Sequence, residues 1–152
     1  MSKYTHTDAV DLVIHALERY GLNVHSKKEK DIDVLKDILV VFPKEKKTMS
    51  IVVRTITPAG HYTWISKDKF DVDNDELYIA AVYITSPKEP MIYLLPATAW
   101  KRQIYPFITR EYDKPDLISE PEYGIDFNQK SMDKLSSYTL TNIMMKLGFT
   151  YL

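Results

Sequence analysis

Two residues on a predicted β-meander have side chains that could do acid, base or metal chemistry. Asp33 lies in the apolar run 31–35, and Arg54 lies in the run 51–55. Because strand side chains alternate between the two faces of a sheet, Val52 and Arg54 share one face. The acid and the cation are therefore open to three interpretations: an active site, the remnant of one, or an ordinary ion pair.

Glu18 is a third candidate because of its place on the first predicted helix. Apolar residues at helical spacing, from Val10 to Leu17, predict an amphipathic helix over residues 7–20 that stops at Gly21. Glu18 lies about 80° around the helix from Val10 and so borders the apolar stripe. It is either a solvated flanking residue, the commoner case for glutamate, or a residue that reaches a site at the edge of the helix.

The elements that would position these residues are predicted from the apolar periodicity. Segment 77–84 is apolar at both alternating sets of positions, which predicts the central strand of a sheet covered on both faces. Segment 62–65 is a short strand or a packed loop. Further strands are predicted at 31–35, 38–42, 49–57, 91–95 and, at an edge, 123–127, and further helices at 98–107, 131–138 and 140–147.

Length and composition limit the class of protein. The 152 residues, 45% of them hydrophobic, fit a single domain over 1–152. A formal net charge of −1 gives no overall attraction for polyanions, so nucleic-acid binding would need a local basic patch. The chain has no cysteine, and its longest apolar run, 77–84, is far shorter than the ~20 residues that span a bilayer. We expect a cytoplasmic protein without a membrane partner.

Other motifs carry weaker signals. The four histidines have no zinc-like spacing, and the acidic run 71–76 lacks the glycine and glutamate that a calcium loop requires. Tyrosine is the unusual surplus, with 11 residues. Some of the aromatic side chains could line a groove that stacks bases or binds a protein, although half-buried structural tyrosines are the commoner case. These side chains are Tyr62, Trp64, Tyr105, Tyr112 and Tyr123.

The order helix, three-stranded meander, Trp-containing segment, two buried strands and helix resembles the restriction-endonuclease-like fold of the PD-(D/E)XK nuclease superfamily. Small bacterial members have a GIDLLV-like strand, then an IQVKT strand, then DDLYYVFV-like and YVVP-like strands. The matching stretches here are 31–35, 51–55, 75–82 and 92–96. The resemblance implies an α/β (α+β) domain with a mixed, mainly antiparallel central sheet flanked by helices.

The resemblance also implies a site in which an aspartate and a second acid bind Mg²⁺ while a lysine activates water. Asp33 matches the first metal-binding aspartate. Val52 stands in place of the second acid, and Arg54 stands in place of the lysine. Valine cannot coordinate a metal ion, and arginine stays protonated and cannot act as a general base. The site therefore resembles a degenerate one, in which Arg54 pairs with Asp33 where the metal would lie.

We expect a non-catalytic nuclease-like domain that acts by binding or interaction and needs no cofactor. One alternative is an active Mg²⁺-dependent nuclease, an enzyme that hydrolyses phosphodiester bonds. In that case Asp33 would bind the metal, Glu18 would replace the missing ligand, and Lys67 or Lys69 would replace the lysine. Another is a nucleic-acid-binding module without cleavage. The partner is expected to be a nucleic acid or a protein, and a homodimer is compatible with the sequence.

Overall fold

The described strands form two sheets that pack face to face. The structure is a computed structural model and describes residues 5–26, 36–42, 47–57, 62–85, 90–102, 104–110 and 121–149. Five strands form the larger sheet in the order β1-β2-β3-β5-β6, and three form the smaller in the order β4-β8-β7. The strands are β1 (Asn23–Ser26), β2 (Ile38–Val41), β3 (Thr48–Ile56), β4 (Tyr62–Ser66), β5 (Leu77–Tyr83), β6 (Met91–Pro96), β7 (Phe107–Arg110) and β8 (Glu122–Asp126).

The larger sheet is mixed but mainly antiparallel. The strands β1, β2 and β3 form an antiparallel meander, and β6 pairs antiparallel with β5. Only the pairing of β3 with β5 is parallel in this sheet as described. The connection between β3 and β5 crosses one face of the sheet and contains β4, which belongs to the smaller sheet. The fold class expected from the sequence is confirmed.

The two faces of the larger sheet belong to two separate cores because successive side chains of β3 alternate. Ile51 and Val53 lie in the first core, together with the first helix and the last one described below. Val52 and Ile56 lie in the second core, which is closed by the smaller sheet. All four side chains are at most 2% exposed, so β3 is covered on both faces.

The first core is closed mainly by the helix α1 (His6–Glu18). Thr5 and Asp8 form a capping box at its start: the Asp8 N–H donates to Thr5 Oγ1 at 3.1 Å, and the Thr5 N–H donates to Asp8 Oδ2 at 2.8 Å. Ala9, Val13 and Leu17 recur every four residues and are fully buried. This periodicity fixes α1 against one face of the sheet, as the sequence predicted.

The second core depends on the buried Trp100. This residue follows β6 in a short 3₁₀ helix, Ala97–Arg102, and packs edge-on against Phe70 and Phe107 at ring-centroid distances of 5.5 and 4.9 Å. Its Nε1–H donates to the carbonyl oxygen of Gly124 in β8 at 2.7 Å. Trp100 thus joins the end of the larger sheet to the middle of the smaller one.

Two short helices complete the described chain, α2 (Gln129–Leu135) and α3 (Leu140–Lys146). Asn128 caps α2, since its backbone is extended and its side-chain oxygen accepts the Ser131 N–H at 2.9 Å. Ser131 was expected to be the cap but is the third helical residue, whose hydroxyl accepts the Asn128 N–H at 2.9 Å. Helix α3 ends as predicted, with Gly148 at a φ of 90°.

Three further predictions need correction. The helix expected over 98–107 is a 3₁₀ helix that ends at Arg102, and the strand β7 begins at Phe107 because it pairs with β8. The strand near 123–127 is the middle strand of the smaller sheet rather than an edge strand. Strand β5 is buried and interior, but β3 holds the middle place in the five-stranded order.

The strand predicted at 31–35 lies outside the described residues. In the described segments, the helices are all too short or too polar to cross a bilayer.

Candidate functional site

Val52 and Arg54 lie on the face of β3 that meets the smaller sheet. The Val52 side chain is 2% exposed and packs in the second core. Arg54, two residues later on the same face, is half-buried and borders a small recess between the sheets that is also lined by Trp64 and Gly124. Arg54 Nη1 donates to the carbonyl oxygen of Val53 at 3.3 Å. The guanidinium group is therefore held against its own strand.

Asp37 lies beside this part of β3 and was not among the site residues predicted from the sequence. Its N–H donates to the Ile51 carbonyl oxygen at 2.9 Å, and its carboxylate Oδ2 accepts the Val53 N–H at 2.7 Å. The Asp37 carboxylate thereby acts as a backbone carbonyl would and adds one more hydrogen bond to those that join β2 and β3. The other oxygen, Oδ1, lies 3.0 Å from His6 Nε2 at the start of α1.

The site defined by these contacts joins three elements. The first residue of α1 (His6), the residue before β2 (Asp37) and the backbone of Val53 in β3 meet at one place. The exposed fraction is 14% for the Asp37 side chain and 53% for that of His6, so the carboxylate is largely enclosed while the imidazole faces solvent. A carboxylate and an imidazole in contact can bind a cation, transfer a proton or simply hold α1 to the sheet.

The three site residues predicted from the sequence are not brought together by the described contacts. Asp33 lies outside the described residues, so its role as metal ligand or as partner of Arg54 stays a prediction. Glu18 is exposed at the end of α1, on the helix that covers the first core. Arg54 belongs to the opposite face of the sheet, with Val52. Glu18 and Arg54 thus start from opposite sides of β3.

The Mg²⁺ that the fold implies can be tested against the donor atoms at this place. Hard cations bind oxygen ligands, and the side chain at position 52 offers only carbon. Each carboxylate oxygen of Asp37 already contacts one nitrogen, from His6 or Val53. Within the described segments, no group of three His, Asp or Glu side chains is arranged to hold a metal ion. The described side chains around Val52 do not fit the two-acid Mg²⁺ site of the resemblance.

Asp37 could have been found from the sequence by one signal. The stretch Asp37-Ile38-Leu39-Val40 has an acid directly before an apolar strand, as Asp33-Val34-Leu35 does. Both fit the pattern of an acid followed by apolar residues. What the sequence does not contain is the register of the β2–β3 pairing, which places the Asp37 carboxylate next to Val53.

A helix packed on an antiparallel meander, followed by a crossover to a strand parallel with the third, defines the restriction-endonuclease-like fold, and this chain has that fold. Among solved structures, it is similar to Hjc, a Holliday junction resolvase from the archaeal hyperthermophile Archaeoglobus fulgidus. The TM-score is 0.53, and the match covers 96% of this chain and 98% of the resolvase chain at 12% sequence identity. The similarity is one of fold. No protein-family model matches the chain, and no curated protein matches it significantly.

Proposed function

We propose that this chain is a nuclease-like domain of the PD-(D/E)XK type that has lost metal-dependent cleavage and acts by binding. The observation that carries the proposal is the buried Val52. At 2% exposure, this side chain fills the second core at the position where a metal-binding acid would stand. A valine there supplies packing and no ligand atom.

The surroundings of Val52 support the same function. Arg54 carries a fixed positive charge at the position of the water-activating lysine, and its guanidinium donates to the Val53 carbonyl. A cation fixed beside the strand opposes the entry of a second cation. The Asp37 carboxylate is taken up by the β3 backbone and by His6. Each of these side chains has a structural partner, which favours a scaffold over a centre that binds and releases metal.

The proposal is tested by nuclease assays with plasmid, single-stranded and four-way-junction DNA in Mg²⁺ or Mn²⁺. The junction is included because the similar solved structure is that of a Holliday junction resolvase. We expect the wild-type protein to cleave no faster than Asp33→Ala and Asp37→Asn. The matched control is Asp68→Ala, an exposed acid in the 3₁₀ turn Lys67–Lys69. Metal-dependent cleavage that persists in Asp68→Ala and disappears in Asp33→Ala or Asp37→Asn would establish the active alternative.

Metal binding gives a second readout that does not depend on choosing the right substrate. Isothermal titration with Mn²⁺ should detect no site whose affinity falls in Asp33→Ala or Asp37→Asn. Val52→Glu with Arg54→Lys restores the residue types of the nuclease pattern at the same spacing. A gain of Mn²⁺ binding in this double variant alone would support the loss of a ligand at position 52. Equal binding by the wild-type protein would contradict it.

A further inference from the structure

A groove of about 1130 Å³ lies at the other end of the larger sheet from Arg54. Its walls come from the start of β5, the 3₁₀ helix after β6, the turn before β7, and the helices α2 and α3. In the β3–β5 pairing, Tyr78 of the groove is opposite Ile51, whereas Arg54 is opposite Ala81, three residues further along. The groove is therefore separate from the candidate site. It is also larger than a typical small-molecule pocket of ~300–1,000 Å³.

The groove concentrates positive charge on a chain whose formal net charge is −1. Among its described lining residues, four are cationic and one, Asp75, is acidic. The cations are Lys101, Arg102, Lys134 and Lys146. They come from three separate segments of the chain, so the fold collects them on one surface. Lys101 Nζ is paired there with Asp73 Oδ1 at 3.1 Å. This is the local basic patch that the overall composition did not provide.

Aromatic rings lie among these charges. Tyr78, Tyr105 and Tyr138 line the groove and are half-buried. The Tyr105 ring is held at its hydroxyl group, which donates to Asp126 Oδ2 at 3.1 Å and accepts from Asn128 Nδ2 at 2.8 Å. Lys134 Nζ lies 5.5 Å from the centre of this ring. A ring fixed at one end and flanked by a cation can stack on a base while the cation contacts the adjacent phosphate.

We propose that this groove binds single-stranded nucleic acid. Basic side chains that follow a backbone and aromatic rings that stack on bases are the two components of sequence-tolerant single-strand binding. A duplex hides the faces of its bases and would leave the tyrosines unused. An acidic peptide would match the charge but not the rings. Of the aromatic side chains predicted to form a base-stacking groove, Tyr105 lies here, whereas Trp64 and Tyr123 lie beside Arg54.

Binding at this groove is independent of catalysis at the β3 site. Cleavage activity would overturn the proposed function and leave this inference intact. Failure to bind single-stranded nucleic acid at the groove would overturn this inference and leave the loss of cleavage intact. The experiment therefore measures binding without divalent metal, by fluorescence anisotropy of a labelled oligothymidylate of about 15 nucleotides. The full chain is used, and circular dichroism confirms that each variant is folded.

The charge of the groove is tested by a salt series. Lys101 is already paired with Asp73 at 3.1 Å, so three cations remain to contact phosphates. If each neutralises one phosphate, the logarithm of the association constant should fall with the logarithm of salt concentration at a slope of about −2.1. Replacing Arg102 and Lys146 by glutamine should reduce the slope to about −0.7. The control Lys69→Gln with Lys130→Gln removes two exposed charges outside the groove lining and should leave the slope unchanged. Equal effects of the two double variants would overturn the proposal.

The ring of Tyr105 is tested by a pair of variants that separates it from its hydroxyl group. Tyr105→Phe keeps the stacking surface, whereas Tyr105→Leu removes it and should weaken binding about fivefold or more relative to Tyr105→Phe. Equal affinity of these two variants would exclude stacking on this ring. Poly-glutamate serves as the competing acidic chain. If it displaces the oligonucleotide at equal charge concentration, or if no oligonucleotide binding occurs, the groove is not a nucleic-acid site.

Discussion

Trp64 of β4 packs against Gly124 of β8, and this contact predicts a measurable effect of a single methyl group. The two residues are directly opposite in the pairing. A Cβ atom built on Gly124 would lie 2.8 Å from Trp64 Cδ2, and nearer still to Cε3 and Cζ3. The half-buried indole would have to move, because real Cβ atoms do not approach other atoms so closely. Overpacking of this kind costs about 1–3 kcal/mol.

We therefore expect Gly124→Ala to lower the free energy of unfolding by about 2 kcal/mol, or the Tm by about 4–8 °C for a chain of this length. Denaturant unfolding and calorimetry measure the two quantities. The physical reason is steric, so the same substitution in a Trp64→Leu background should cost much less, and the double-mutant cycle should give a coupling of about 1 kcal/mol or more.

A glycine with a different requirement provides the control. Gly148 has a φ of 90° and has nothing within 4 Å of a Cβ position, so Gly148→Ala is strained by backbone conformation alone. Its cost should be the same with Trp64 or with Leu at position 64. The steric account is refuted if Gly124→Ala is equally destabilising in both backgrounds, or if it leaves the wild-type stability unchanged.

Three further predictions concern hydrogen bonds and pH. Asp37→Ala should lower the free energy of unfolding by about 1–3 kcal/mol, because the Val53 N–H loses its acceptor. Asp37→Asn keeps an oxygen at that place and should cost less. Equal losses of stability in urea unfolding of the two variants would contradict this prediction. Trp100→Phe leaves the buried Gly124 carbonyl without its donor and should lower the free energy of unfolding by about 1–3 kcal/mol in the same assay. An unchanged unfolding midpoint would count against the importance of that hydrogen bond. Burial, and secondarily the Asp75 charge, raises the pKa of Tyr78 above 10.0, so its proton is held more tightly in the folded state. That stabilisation is complete below pH 10.0 and is lost as the pH rises through the folded pKa. Tyr78→Phe should therefore lose less stability than wild type as the pH is raised above 10.0.

Much of the larger sheet was predictable because β2, β5 and β6 are nearly continuous apolar runs. Segment 77–84 has apolar side chains at both alternating sets of positions, which requires cover on both faces, and β5 has it. Helix α1 was predictable from its four-residue spacing and its stop at Gly21. In both elements the apolar positions of the sequence are the ones that the tertiary structure buries, so the predicted and observed elements agree.

The smaller sheet was less predictable because its short strands depend on hydrogen-bonded pairing with distant residues and show little apolar periodicity of their own. Strand β7 has only four residues, and it follows a proline turn that also fits the end of a helix. Ile104 lies within the helix predicted at 98–107, yet it is 58% exposed because that helix ends at Arg102. The strand conformation of β7 depends on its pairing with β8, whose partner residues lie 12 to 18 positions further along the chain.

The candidate site was partly predictable. The spacing of Val52 and Arg54 on one face of a strand follows from alternation alone, and the structure places both on the side of the second core. The role of Asp37 depends on where β2 begins relative to β3, which no local pattern specifies. The groove could not be predicted from the sequence either, because its cations come from the 3₁₀ helix after β6, from α2 and from α3 and meet only after folding.

The alternation of β3 between two cores has a consequence for how the domain opens. Neither the helical layer nor the smaller sheet can detach without exposing one apolar face of this strand, while the β2 and β5 ladders still hold its amides. The amide protons of Ile51 to Val53 should therefore exchange with solvent only through global unfolding, more slowly than those of β1 or β7. A single slowest-exchanging group centred on β3 would indicate one cooperative unit, in keeping with the single domain expected from the sequence.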